Sequence, residues 1–419
     1  MQNARATQRT GGRVHALDGV GTGDGRVGRE RPPPDRHGLK VCGHGGEAYG
    51  PVTPKLHAID AAALRSEFPV FDEIAYLNAG SNGPVPLRAR AAAGDAVEAQ
   101  ITEGRGGSAF FEQMLGAAND LRARVAGVVD CKPDEMVLTG STTDGVNVVL
   151  SGLDLGPGDE VLTSVDEHPG LLVPLAVGAR RRGYTVRQAP FAEIAQEAGS
   201  AKLVACSHVS WITGEVVDAE ALAAGDALVL LDGAQGLGAV PVDVQQLGCD
   251  FYAASGQKWM CGPVGSGYLY VREGHLDALT PAWPNFGTVA DPARPLEDEM
   301  RPGAERLELG LRPPEHTAWS AAALDVLEAA GFDDVLAAAA DGAERLAGRL
   351  RESGRTVAPR GRSTLVSWEE RDPEAIAERL LGSGVVVRHL PGRPYVRASV
   401  GAWTSEDDIE RLLSALTQP

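Results

Sequence analysis

The chain reads as an α/β protein, with a large domain built on a mainly parallel sheet and a smaller α+β domain following it. Three observations carry that reading. Short apolar runs recur between residues 135 and 271, separated by loop and helical segments, which is the rhythm of strand–helix–strand units. The run Ala227–Leu231 is apolar throughout and does not alternate, as a strand buried on both faces is. After about residue 275 the rhythm stops, and short strands interleave with helices to the end of the chain.

Composition narrows the class. The chain has 419 residues, enough for two domains with sizeable cores. Its net charge of −18 argues against a nucleic-acid surface. No apolar run is long enough to span a membrane. Five scattered cysteines with no C-x-x-C pair suggest neither a disulfide framework nor a metal site, and fit a reducing cytoplasm.

In chain order, residues 1–54 are rich in Gly, Arg and Pro and are basic on an acidic protein. They hold too little apolar area to offset ordering entropy, so they are expected to be disordered, with a basic interaction tail as the alternative. A large domain is expected over 55–300, with 55–83 near the mouth of the site, and a small domain over 301–419. Ile74–Asn78 reads as a brief strand, followed by the turn-rich Ala79–Pro84. Helical patterns cover 87–103 and 110–128. Strands are expected at 135–138, 159–164, 185–188, 203–208, 227–231, 251–254 and 267–271. The C-terminal part should hold helices at 317–327, 333–350, 373–381 and 405–416, and strands at 364–368, 384–388 and 394–399.

The chemistry centres on residues 228–270. Asp232 closes one apolar strand, and Lys258 follows another. In open α/β sheets the ligand lies beyond the carboxyl ends of the strands, so both would face one crevice. An acid and a lysine there suit pyridoxal phosphate. The amine condenses with the aldehyde, and the carboxylate keeps the ring nitrogen protonated as an electron sink. Gln235 could donate to the ring phenolate. Taken singly, an acid at a strand end is as well a cap, and a lone lysine a surface residue. Near residue 140 a strand, a small-residue loop and a helix follow one another. The loop holds Ser141, Thr142 and Thr143, and exposed N–H groups and hydroxyls at a helix start make an anion site.

Asp232-Gly233-Ala234-Gln235, Ser255-Gly256-Gln257-Lys258-Trp259 and Gly262-Pro263-Val264-Gly265-Ser266-Gly267 together resemble the aminotransferase class V family. The resemblance covers roughly residues 58–417. It implies the fold type I architecture of pyridoxal-phosphate enzymes, a homodimer and an amino-acid substrate, with no metal. By the same resemblance Thr143 holds the phosphate, with Ser141, Thr142, Ser255 and Gln257 beside it. His168, in the family's E-H word, stacks on the ring, Arg397 grips the substrate carboxylate, and Asn78 contacts substrate. Trp211 stands where desulfurases have Asn, Gln257 where they have His, and Leu311 where a threonine reaches across the dimer. With Trp211 there, either the ring contact is lost or Gln235 carries it alone, and Trp211 instead walls the substrate pocket. No cysteine lies beyond Cys261, so the desulfurase loop nucleophile is missing.

The resulting expectation is an enzyme that removes the α-proton of an amino acid with the freed Lys258, aided by Asp232 and His168. Aminotransferase is the first reading. A C–S β-lyase or an epimerase of the same family is the alternative, and a non-catalytic binding protein on the same fold is a second one.

Overall fold

The apolar runs become the strands of one seven-stranded sheet. The structure is a computed structural model that describes residues 60–296 and 299–417, so the segment 1–54, expected to be disordered, lies outside the described residues. Two short helices, α1 (Ala61–Ser66) and α2 (Val70–Glu73), lead to the two-residue strand β1 (Ala75–Tyr76). The Asp60 carboxylate caps α1 by accepting from the Ala63 N–H. Two long helices follow, α3 (Leu87–Thr102) and α4 (Gly107–Val128). The sheet strands are β2 (Met136–Thr139), β3 (Glu160–Ser164), β4 (Thr185–Ala189), β5 (Leu203–Ser207), β6 (Leu228–Asp232), β7 (Phe251–Ser255) and β8 (Gly267–Val271). Between them run α5 (Thr142–Gly152), α6 (Pro169–Arg182), α7 (Ala219–Ala223) and α8 (Val244–Leu247).

The strand order in space is β2-β8-β7-β6-β5-β3-β4. From β4 to β7 neighbouring strands are parallel, and β8 is antiparallel to both β7 and β2. β5 and β7 are buried along their whole length, which is why their sequences are small and apolar without alternation. The chain leaves β3 for the edge strand β4 and returns to lay β5 on the other side of β3. The winding therefore reverses between β3 and β5, and a crevice opens at their carboxyl ends.

Sequence reading left α6 unassigned. Pro174 lies inside it, and only Leu171 and Leu175 are buried, so it shows little helical signature. It starts at Pro169 with His168 as N-cap and stops at Gly183, whose φ of 86° is a left-handed conformation suited to glycine. Two other glycines set the sheet against α5. A Cβ on Gly145 would come 3.0 Å from the Cβ of Ala253, so α5 lies close on β7. A Cβ on Gly267 would come 2.7 Å from the backbone of Ser141, so β8 holds the start of α5 in place.

The C-terminal part runs α9 (Pro314–Ala329), α10 (Phe332–Glu352), β9 (Leu365–Glu369), α11 (Pro373–Gly382), β10 (Val385–Val386), β11 (Arg388–His389), β12 (Tyr395–Ser399) and α12 (Glu406–Thr417). β11, β12 and β9 form an antiparallel sheet. The strand expected at 384–388 is split: β10 turns away and pairs in parallel with β1, Ala75 opposite Val385.

The cores divide the chain differently from the expected boundary at residue 300. Ala323 and Leu324 of α9 share a core with Leu121 and Val125 of α4, so α9 belongs with the large sheet. Ala75 and Leu77, placed with the large domain at first, share a core with Leu346, Trp368 and Leu412. Periodicity marks an apolar face but not which distant face it meets. Among the described residues no helix is long and apolar enough to cross a membrane.

Gly267→Ala tests the close approach to α5. The new methyl overlaps the Ser141 backbone, and relieving it should cost about 1–3 kcal/mol. A lowered melting temperature, with the helix start displaced, is the expected outcome in thermal denaturation.

Candidate active site

The carboxyl ends of β3, β5, β6 and β7 converge on a narrow cleft. Asp232, the last residue of β6, lies in register between Ser207 of β5 and Ala253 of β7. Its side chain is 5% exposed, and the Ala234 N–H donates to one carboxylate oxygen at 2.9 Å. Burial raises its pKa, while Lys258 and that N–H pull it back.

Lys258 follows β7 and lines the same cleft. Burial lowers its ammonium pKa to about 8, with Asp232 opposing and Arg397 and Arg388 adding to the fall. A substantial fraction of the amine is therefore neutral near pH 8.

His168 sits at the junction of β3 and α6. Its Nδ1 accepts the Gly170 N–H at 3.0 Å, so the ring proton belongs on Nε2. Burial, then Lys258, Arg388 and Arg397, lowers its pKa to about 4, and it is neutral across the physiological range. Trp211 stands edge-on to it, ring centroids 5.1 Å apart at 88°. The Trp211 indole N–H donates to the Asp166 carbonyl at 2.8 Å, so it is not free for a ligand, and the ring walls the cleft.

Two arginines close the opposite side. Arg397, on β12, is 0% exposed and gives one N–H to the Trp211 carbonyl. Its Nε and Nη2 are buried without a partner among the described residues, and burial, with Arg388 adding, disfavours its charge. Arg388, on β11, reaches the Ser81 Oγ at 3.2 Å and lies 5.8 Å from the Trp211 ring centre. Gln235 is largely committed elsewhere: its amide donates to the Gly80 carbonyl at 2.7 Å and accepts from the Trp259 indole at 3.1 Å. It thereby ties the 78–83 turn to the tip of β6.

Four of the phosphate candidates gather around the start of α5. Ser141 caps the helix by accepting the Asp144 N–H at 3.1 Å. The Thr142 and Ser255 hydroxyls are 2.6 Å apart. Thr143 faces the beginning of α6, where a Cβ on Gly170 would meet its Oγ1 at 2.6 Å. The Gln257 Oε1 is buried without a partner. None of these five lines the central cleft.

Asn78 is not brought to the cleft either. Its side chain accepts from Ser81 Oγ at 2.8 Å, and its backbone bridges to Ser399, so the turn uses it internally. Ser207 and Gly80 are cleft residues that sequence reading missed. Ser207 was within reach, since it ends a strand beside Asp232. Gly80 lay in the 55–83 segment expected near the mouth, but nothing singled it out from its neighbours in the turn. Cys261 is 1% exposed, and burial pushes its thiol well up. A wider groove between α3, α4 and α9 is mostly apolar and has no lysine or histidine in its lining.

The described residues hold no group of three or more metal-ligating side chains. What the cleft brings together is an amine, a buried carboxylate, a neutral imidazole and an unpaired guanidinium. That set can capture a carbonyl, carry a proton and hold a carboxylate.

Comparison with known proteins agrees with this chemistry. The family model for aminotransferase class-V matches residues 86–412. A probable cysteine desulfurase 2 of Mycobacterium leprae is 28% identical over 87% of this chain and 98% of its own. Isopenicillin N epimerase of Amycolatopsis lactamdurans is 28% identical over 85% of this chain and 98% of its own. Among solved structures, the cystine C–S lyase C-DES superposes with a TM-score of 0.78 at 27% identity, covering 83% of this chain and 98% of that one. A variant of C-DES carries glycine covalently linked to its pyridoxal-phosphate cofactor. The chain belongs to the aminotransferase class-V family, whose members share the fold type I architecture and depend on pyridoxal phosphate.

Proposed function

We propose that this chain is a pyridoxal-phosphate enzyme that takes a sulfur-bearing α-amino acid, removes its α-proton and releases the β-substituent to solvent, as a C–S β-lyase. The residues present fit the cofactor. A buried carboxylate stands opposite a buried amine, and the Thr142 and Ser255 hydroxyls meet at a helix start. Asp232 would hold the ring nitrogen, Lys258 the aldehyde carbon and His168 the ring face. Ser141, Thr142, Thr143, Ser255 and Gln257 would hold the phosphate. Bound there, pyridoxal phosphate supplies an aldehyde and an electron sink for charge at the substrate α-carbon.

The chain's own groups do the rest. The two unpaired nitrogens of Arg397 offer a planar fork for the substrate carboxylate. The lowered pKa of Lys258 lets its Nζ take the α-proton as a base at neutral to slightly alkaline pH. As the Cβ–S bond breaks, the electron pair leaves with sulfur.

One observation carries the choice of a lyase over a desulfurase: among the described residues no thiol lines the cleft. Cys261, nearest to Lys258 in sequence, is buried in the core, and the link Leu390–Pro394 has no cysteine. Sulfur therefore has no protein acceptor there, and the likeness to a cystine C–S lyase supports the same choice. Amino transfer, the first expectation from sequence, keeps one supporting observation. Arg388 is a second guanidinium on the cleft wall and could take the further carboxylate of a dicarboxylic acceptor.

An amino-acid panel separates the two. A lyase releases pyruvate and a thiol or persulfide over many turnovers without an added 2-oxo acid, whereas amino transfer stalls without one. Cys261→Ala should leave turnover in place, and sulfide captured on the protein would instead revive a desulfurase. Borohydride should fix the cofactor onto the Lys258 peptide in mass spectrometry, and a chromophore fixed elsewhere would sink the assignment. Uptake of pyridoxal phosphate by cofactor-free protein should quicken as pH rises and level off above about 8, since only the neutral amine attacks and burial lowers its pKa to that value. Arg397→Lys loses the fork and part of a charge-assisted pair worth about 1.5–3 kcal/mol, so kcat/KM should fall roughly 10- to 100-fold, chiefly through KM.

A further inference from the structure

The mechanism above does not use Glu167, yet this carboxyl lies at the point where the sheet reverses its winding. Glu167 follows β3, precedes His168 and is 4% exposed. Ser164 Oγ donates to its Oε1 at 2.7 Å, and the Ser207 N–H donates to the same oxygen at 3.0 Å. Its Oε2 lies against Ser207 Oγ. Ser207 in turn lines the cleft and stands in register beside Asp232.

Two carboxyls are thus buried around one strand tip, and their surroundings differ. Asp232 faces Lys258. Glu167 faces only neutral partners, two serine hydroxyls and a backbone N–H. The titratable groups around it are Asp232 on β6 and Cys206 on β5, neither of them a cation, with Asp166 and His168 on its own loop. Ionising both carboxyls would put two like charges in a desolvated site, so the proton goes to the one without a cation. Burial, with the Asp232 charge adding, raises Glu167 to about 7 in agreement with this.

We propose that Glu167 is a positioning residue that, on the acid side of neutrality, keeps its own proton and donates it in a hydrogen bond to Ser207 Oγ, leaving the Ser207 hydroxyl proton free as a donor beside Asp232, whereas the ionised acid takes that proton for its own Oε2. A neutral carboxylic acid has one O–H to give, and Oε2 is the oxygen not already taken by the two other donors. Asp232 is then left as the anion at the ring-nitrogen end. The inference rests on reading the cleft as a cofactor pocket, but its test does not.

In cofactor-free protein at pH 6, infrared difference spectra of wild type against Glu167→Gln should show the C=O stretch of a buried carboxylic acid. The band should vanish with a midpoint near 7. Absence of the band at pH 6 overturns the proposal. Stability gives the sign a second time. Because the folded pKa lies above the ordinary 4.5, wild type loses stability as pH rises from about 4.5 to 7, and Glu167→Gln lacks that loss. In loaded protein, glutamine mimics the neutral acid, so Glu167→Gln should keep the cofactor's absorbance while losing its inflection near pH 7, and Glu167→Ala should not keep it. An unchanged inflection in Glu167→Gln also overturns the proposal. Should Glu167→Gln not fold, Ser207→Ala reads the same contact by shifting the carboxylic-acid band, and an unshifted band counts against it. A failed borohydride reduction with the band present would remove the cofactor reading and leave the Glu167 assignment standing.

Discussion

The charge balance of the cleft hangs on one buried carboxylate facing one buried amine, with two arginines on the opposite side. Asp232 ends a strand that is buried from Val229 onward, and no water shell stabilises its charge. Lys258 and the Ala234 N–H do so instead. On the other side, burial pushes Lys258, Arg388 and Arg397 each toward its neutral form, and the neighbouring arginine charges add to the fall for Lys258 and Arg397. His168 is held neutral by burial, with the three cations adding, and is a hydrogen-bond donor through Nε2 instead of a fourth cation.

Parallel register turns this balance into geometry. Ser207, Asp232 and Ala253 stand side by side because β5, β6 and β7 pair in phase, and a slip of one residue would turn Asp232 to the opposite face of the sheet. The glycine at 267 and the cap at Ser141 do the same for the hydroxyl group at the start of α5. The site is thus two rigid clusters carried on one sheet, with the C-terminal sheet supplying the arginines.

Much of this was legible in the chain. Uninterrupted apolar runs marked β5, β6 and β7, and the acid and lysine at their ends marked the cleft. Asp232, Lys258, His168, Trp211 and Arg397 do line one space. What stayed hidden was pairing at long range. Nothing in Ala75-Tyr76 says that its partner lies more than 300 residues away at Val385, and nothing in the α9 pattern says that it packs on α3 and α4. Nor could spacing show that Asn78 and Gln235 make side-chain hydrogen bonds inside the protein, because such competition between partners exists only after folding. α6 was lost for a local reason, since its interior proline masks the helical signature.

The pairing of β1 with β10 has a consequence for synthesis. A ribosome delivers Ala75 and Tyr76 early and Val385 and Val386 near the end, so the first strand emerges with an open edge and must wait for most of the polypeptide before it is covered. The C-terminal half cannot mature as an autonomous piece: cut free, it would leave β10 unpaired and its core without Ala75 and Leu77. Translation must therefore be nearly complete before the arginine wall is secured, and nascent chains stalled short of β10 should depend on chaperones.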